Sequence, residues 1–173
     1  MKRLIPYALL IFALMLVACE PQSIVQRGGG TDSDWLVTVS RVPAGETARV
    51  TRIIDGDTID VEMNGQTYRV RYIGMDTPER NERCFREATD ANRVLVEGQT
   101  IRMERDVSET DRFGRLLRYI YVGDVFVNAT LVRQGYAEVR RYHPDVREHD
   151  DFMRWRREAA ANNRNCHATG VFR

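Results

Sequence analysis

The chain has 173 residues, 43 % of them hydrophobic, with 26 basic against 25 acidic side chains. That is about one domain's worth of sequence, long enough to bury a core, and its balanced charge excludes a protein that holds nucleic acid by a bulk positive field. Lys2 is the only lysine, so any phosphate contact in the body of the chain must come from placed arginines, whose planar fork suits phosphate oxygens.

Lys2 and Arg3 precede an apolar run from Leu4 to Ala18 broken only by Pro6. This is the pattern of a secretory signal, too short for a membrane span of about 20 residues. Residues 1–18 are therefore expected to be removed, which would leave 24 basic against 25 acidic groups. Cys19 directly follows Leu16-Val17-Ala18 and resembles the bacterial lipoprotein box, in which that cysteine becomes the lipidated first residue. The expected location is thus the bacterial cell envelope, on the outer membrane or the outer face of the cell membrane, with ordinary secretion as the alternative. Residues 19–45, rich in Pro, Gln, Ser, Gly and Asp around a short apolar run from Trp35 to Val39, read as a flexible tether with a reach of roughly 25 to 30 Å.

From Glu46 the pattern becomes β. "ARVTRII", "DTIDVEM" and "QTYRVRYIG" alternate or run apolar, and Asn64-Gly65 between the second and third is a strong hairpin signal, because a type I′ turn needs φ > 0 at both centres. "CFREATDANRVLVEG" places Phe85, Ala88, Ala91, Val94 and Leu95 at helical spacing and ends on Gly98. Two more strands, "QTIRMERD" and "RLLRYIYV", flank the polar loop "VSETDRFG". A short helix follows over 128–134, and a last one over 151–162 carries Phe152, Trp155 and Ala159 on one face. The expected fold class is α+β: a five-stranded OB-type β-barrel with three helices packed against it, over residues 46–173.

Two acidic turns punctuate the barrel. In "IDGDTI", Gly56 supplies a freely turning backbone and Asp57 a carboxylate; in "YIGMDTPER", Asp76, Thr77 and Glu79 follow the third strand. Oxygen ligands of this kind suit a hard cation such as Ca²⁺. The blander reading of Asp76-Thr77-Pro78-Glu79 is a helix start, with an N-cap, a first-turn proline and a capping glutamate. Arg71 in the third strand and Arg115 before the fifth would add guanidinium groups at the same mouth, the set that phosphoryl transfer requires.

The four stretches "VTRIIDGDTIDV", "RVRYIGMDTPE", "DRFGRLLRYIYV" and "VNATLVRQGYAEV" resemble, in that order, the staphylococcal nuclease (thermonuclease) family. The resemblance implies Ca²⁺-dependent hydrolysis of DNA and RNA phosphodiesters, leaving 3′-phosphates, with single-stranded or breathing regions favoured. It implies Ca²⁺ on the side chains of Asp57 and Asp76 and the backbone carbonyl of Thr77. Glu79 would be the general base, and Arg71 and Arg115 would bind the scissile phosphate. Phe113 stands where the family has a tyrosine, and Tyr142 is the candidate for its base-stacking tyrosine; both are expected on the substrate side. A monomer is expected. A catalytically silent OB module that binds nucleic acid or protein is the alternative of a different class; such a copy should have lost one of Asp57, Arg71, Glu79 or Arg115, and all four are present.

With Cys19 set aside for lipid, Cys84 and Cys166 form an even pair in an oxidising compartment. A disulfide between them is expected, with two unrelated buried thiols as the alternative; it would close a loop of some 80 residues and contribute about 4 kcal/mol in the chain-entropy model.

Overall fold

The computed structural model describes residues 35–38 and 45–172. The expected signal sequence, Cys19, most of the expected tether and Arg173 lie outside the described residues.

β1 (Glu46–Ile53), β2 (Thr58–Met63) and β3 (Gln66–Tyr72) form the expected meander, followed by the two-residue β4 (Met75–Asp76). α1 (Phe85–Val96) leads to β5 (Thr100–Glu104), β6 (Leu116–Val122) and the short β7 (Val125–Phe126). After α2 (Val127–Gln134) come β8 (Glu138–Val139), α3 (His149–Ala161) and a 3₁₀ turn at Asn165–Thr169. The sheet runs β3-β2-β1-β5-β6, with β7 beyond β6, and a parallel pairing of β3 with β6 closes the five long strands into a barrel. The chain thus has the α+β OB-type fold, with three helices packed against the barrel.

Period-2 burial builds the interior. Ala48 and Val50, Ile59 and Val61, Val70 and Tyr72, Ile101 and Met103 are each at most 4 % exposed. Asn64 and Gly65 both take positive φ, 54° and 74°, as the hairpin turn requires. α3 docks Phe152 onto β6 and β7, where its ring meets Tyr119 and Phe126 at centroid distances of 6.2 and 5.7 Å.

Three readings of the sequence need correction. Val94 does not belong to the buried face of α1: it is 78 % exposed, and the face against the barrel is Ala88, Thr89, Asn92 and Val96. The inward Asn92 is accommodated because its amide is spent twice, accepting from Tyr72 Oη at 2.9 Å and donating to the Asp55 carbonyl at 2.9 Å. No helix starts at Asp76: α1 begins at Phe85, after a turn over residues 80–84. Finally, part of the expected tether is bound. Thr38 pairs with Val125, Phe126 N–H donates to the Val37 carbonyl at 2.7 Å, and Val37 N–H donates to Thr130 Oγ1 at 3.0 Å. Val37, 8 % exposed, joins the core, and its burial outweighs the polar composition around it. Among the described residues, no helix is long and apolar enough to cross a membrane.

Candidate active site

The first acidic turn is held by its own backbone. Ile54 N–H donates to the Thr58 carbonyl at 3.0 Å, and the Asp55 carboxylate accepts the Asp57 N–H at 3.1 Å. Asp55 is thereby a structural residue of the turn, and Asp57 is aimed inward, 5 % exposed. Gly56 is needed for a reason other than a left-handed backbone, since it is not among the residues with positive φ. A Cβ there would lie 2.8 Å from both Thr77 Oγ1 and Thr77 Cγ2, closer than real Cβ contacts come.

That close approach joins the two acidic turns. Asp57 Oδ2 accepts the Thr77 N–H at 2.8 Å and the Thr77 hydroxyl at 2.9 Å. Its other oxygen accepts the Thr58 hydroxyl at 3.0 Å and meets Arg71 Nε at 3.2 Å. Arg71 reaches both turns from β3. Nη1 donates to the carbonyls of Tyr72 and Met75, each at 2.9 Å, and Nη2 donates to Asp76 Oδ1 at 2.7 Å. One guanidinium, only 11 % exposed, therefore serves two carboxylates.

Negative charge exceeds positive charge here. Burial and the neighbouring Asp57 charge push the Asp55 carboxyl up to about 6. The Asp76 carboxyl is also raised, chiefly by burial, with Arg71 working against the shift. Asp76 has a second cationic neighbour in Arg140, whose Nε is 3.5 Å from Oδ2. Oxygen donors with uncompensated negative charge fit a hard divalent cation. Among the described residues, no three His, Cys, Asp or Glu side chains cluster closely enough to hold a metal by side chains alone. A cation at this place would need a backbone oxygen in addition to Asp57 and Asp76, and the Thr77 carbonyl lies next along the chain.

A cavity of about 120 Å³ adjoins the second acidic turn, with Asp76, Thr77, Glu79, Glu82, Arg140 and Phe172 in its wall. The Glu79 side chain is exposed and has no hydrogen-bond or ion-pair partner among the described residues. β4 and β8 pair at Asp76 and Glu138, which brings Arg140 to the site; Glu138 itself is held by a two-pronged pairing with Arg156 at 2.9 and 3.1 Å.

The other expected substrate residues lie elsewhere. Leu117 registers with Arg71 across the parallel β3–β6 pair, so Arg115 enters from the neighbouring strand, two residues earlier. Its Nε donates to Asp111 Oδ2 at 2.6 Å, and it is absent from the cavity wall described above. Phe113, 68 % exposed, stands between Arg112 and Arg115, whose guanidinium carbons lie 4.7 and 5.5 Å from its ring centre. Tyr142 is 54 % exposed in a turn that pairs it with Asp145, and is likewise outside the cavity. Cys84 and Cys166 are disulfide-bonded, which ties the chain just after Glu79 to the C-terminal 3₁₀ turn.

The sequence reading did not single out Asn92, Arg140 or Glu82. Asn92 could have been found as an amide at the helical spacing of the buried face, four residues after Ala88 and before Val96. Arg140 had no such signal, because a two-residue strand has no period to detect.

Residues 69–167 match the family model described as "Staphylococcal nuclease homologue". The chain is 32 % identical over 126 residues to the thermonuclease of Staphylococcus hyicus, covering 69 % of this chain and 75 % of that protein. It is 36 % identical over 107 residues to the thermonuclease of Staphylococcus intermedius, covering 58 % and 64 %. Endonuclease YncB of Bacillus subtilis is 37 % identical over 119 residues, covering 64 % and 56 %. The chain thus spans three quarters of the first of these relatives and less than two thirds of the other two.

Proposed function

The chain belongs to the staphylococcal nuclease family, and from that premise we propose that it is an endonuclease that hydrolyses phosphodiester bonds in DNA and RNA. The observation that carries this reading is the sharing of Arg71 between Asp57 and Asp76, beside a cavity walled by the unpartnered Glu79. A cationic fork shared by two carboxylates, with an exposed carboxylate three residues after one of them, supports a reading as a phosphoryl-transfer site.

In this reading the enzyme depends on calcium, held by the side chains of Asp57 and Asp76 and the carbonyl of Thr77. Bound there, Ca²⁺ would supply Lewis-acid neutralisation of charge on the phosphate oxygens. Glu79 takes a proton from a water molecule as its oxygen attacks phosphorus. A 3′-phosphate product requires that the P–O5′ bond break, so the departing group is the 5′-hydroxyl of the next nucleotide. Arg71 and Arg115 stabilise the charge that gathers on the phosphate during this exchange, and the preorganised hydrogen bonds of Arg71 keep its fork oriented beforehand. Phe113 offers an exposed ring on which a base can stack, so single-stranded or locally opened substrates are favoured. Tyr142, also exposed, is the second candidate for stacking on a base.

We further read residues 1–18 as a secretory signal and Cys19 as a lipid attachment point, which makes this an envelope-bound, monomeric nuclease whose domain is joined to the anchor by the tether.

The test is cleavage of single-stranded DNA and RNA by the full chain with Ca²⁺, with Mg²⁺ and with EDTA, alongside Glu79→Gln and Arg115→Ala. Calcium-dependent cleavage that both substitutions depress is expected. Undiminished cleavage in EDTA, or by both variants, would overturn the mechanism, and absence of cleavage in every arm would favour the silent binding module.

A further inference from the structure

The cavity wall holds a carboxylate that the reading above leaves unused. Glu82 Oε2 accepts the backbone N–H of Glu79 at 2.7 Å, and the Glu82 N–H donates to the Glu79 carbonyl at 2.8 Å. Two opposed hydrogen bonds therefore close the turn from Glu79 to Glu82 on itself. The Glu79 side chain is exposed and has no hydrogen-bond or ion-pair partner among the described residues, so its direction is inherited from this backbone.

The surroundings of the turn make Glu82 the decisive restraint. On the N-terminal side, Thr77 is pinned to Asp57 by two hydrogen bonds, and Pro78 has a ring-limited φ. On the C-terminal side, Arg83 Nη1 donates to the Thr169 carbonyl at 3.3 Å and Cys84 is bonded to Cys166. Both ends of the segment are thus attached to the fold, and among the described residues the Glu79 amide has only the Glu82 carboxylate to hold it, the Glu79 carbonyl being held by the Glu82 N–H. A bond from an amide to a charged carboxylate is stronger than a neutral one.

We propose that Glu82 is a positioning residue for this nuclease, aiming Glu79 at the attacking water by holding the Glu79 amide. The inference rests on the assignment of Glu79 as general base. Glu82 acts through Glu79 and takes no proton itself, so what it must supply is an acceptor oxygen, which glutamine also carries and alanine lacks.

The experiment compares Glu82→Ala and Glu82→Gln, each alone and combined with Glu79→Gln, in the full chain with Ca²⁺ and a single-stranded oligonucleotide. Exchange of the Glu79 amide is followed in the metal-free protein. Glu82→Ala should lower kcat about tenfold, within the loss that a displacement of the order of 1 Å brings, with KM nearly unchanged. Glu82→Gln should restore most of the turnover. Protection of the Glu79 amide should fall in the alanine variant alone. In the Glu79→Gln background, Glu82→Ala should cost nothing more. An equal loss in both backgrounds, or lost amide protection with kcat intact, would overturn the proposal. If Glu79→Gln alone leaves turnover unchanged, the base assignment fails first and the proposal falls with it.

Discussion

Gly56 and Thr77 touch so closely that no side chain fits between them: a Cβ on Gly56 would meet Thr77 Oγ1 and Cγ2 at 2.8 Å. Twenty-one residues apart in sequence, they lock the two acidic turns together. Gly56→Ala should therefore push Thr77 away from Asp57. The expected cost is about 1–3 kcal/mol from overpacking, with a much larger fractional loss of nuclease activity. Urea unfolding and cleavage assays on the same preparation check both; wild-type activity in a folded alanine variant would show that the contact does not organise the site.

Asp57 and Asp55 look alike in "IDGDTI" but differ in what they hold. Asp57 accepts from Thr58 and Thr77 and pairs with Arg71, whereas Asp55 accepts the amide of Asp57. Asp57→Ala should abolish activity together with any rise of Tm on adding Ca²⁺. Asp55→Ala should lower Tm yet keep a Ca²⁺-dependent rise. Differential scanning fluorimetry over a calcium series separates them, and a preserved calcium response in Asp57→Ala would rule out that ligand.

Across the barrel, Asp60 is paired with Arg52 and Arg69, each at 2.8 Å, and hydrogen bonding from Arg69 holds its carboxyl below the usual aspartate value of 3.8. A carboxyl depressed in the folded state contributes stability above its unfolded value, lost as pH falls through the folded one. Asp60→Asn should thus destabilise by about 1 kcal/mol at neutral pH, a modest figure because both arginines are well exposed. The gap from wild type should shrink below about pH 4. Denaturant titrations at pH 7 and pH 3 measure it, and a pH-independent gap would assign the effect to packing.

Reducing the Cys84–Cys166 bridge should lower unfolding free energy by about 4 kcal/mol, given the 82-residue separation of the two cysteines. Chemical denaturation with and without reductant tests this. Identical midpoints would mean that the denatured chain is not restrained by the bridge.

Cys19→Ser should move the protein from the membrane fraction of a producing bacterial cell into a soluble one. Unchanged fractionation would remove the lipid anchor from the reading.

Much of the barrel was legible because its strands keep period 2 and its tightest hairpin carries Asn-Gly, both local signals. Asp57, Asp76 and Glu79 could be picked out because acidic turns interrupt apolar strands. What could not be seen were relations with no local period: the pairing of β4 with β8 that delivers Arg140, the inward amide of Asn92, and the docking of Val37 onto β7. Gly56 was legible as a turn residue, but its physical reason was not, since the group it must avoid lies on another turn. Val94 shows the converse failure. Its spacing suits a buried face, yet the helix rotates so that Asn92 meets Tyr72 and Asp55, two hydrogen bonds that no apolar pattern encodes.

The bridge between Cys84 and Cys166 also decides what a protease can do to this molecule. It encloses α1, most of the barrel's second half and α3 within one covalent ring. A cut in the exposed loop around Arg112 and Phe113, or in the turn around Tyr142, opens that ring without dividing the molecule. The two pieces of the nicked product stay covalently joined until a reductant is added, so dilution cannot separate them. Electrophoresis of a partial digest cut at one of these loops should show one full-length band without reductant, and with it two fragment bands beside the remaining uncut chain.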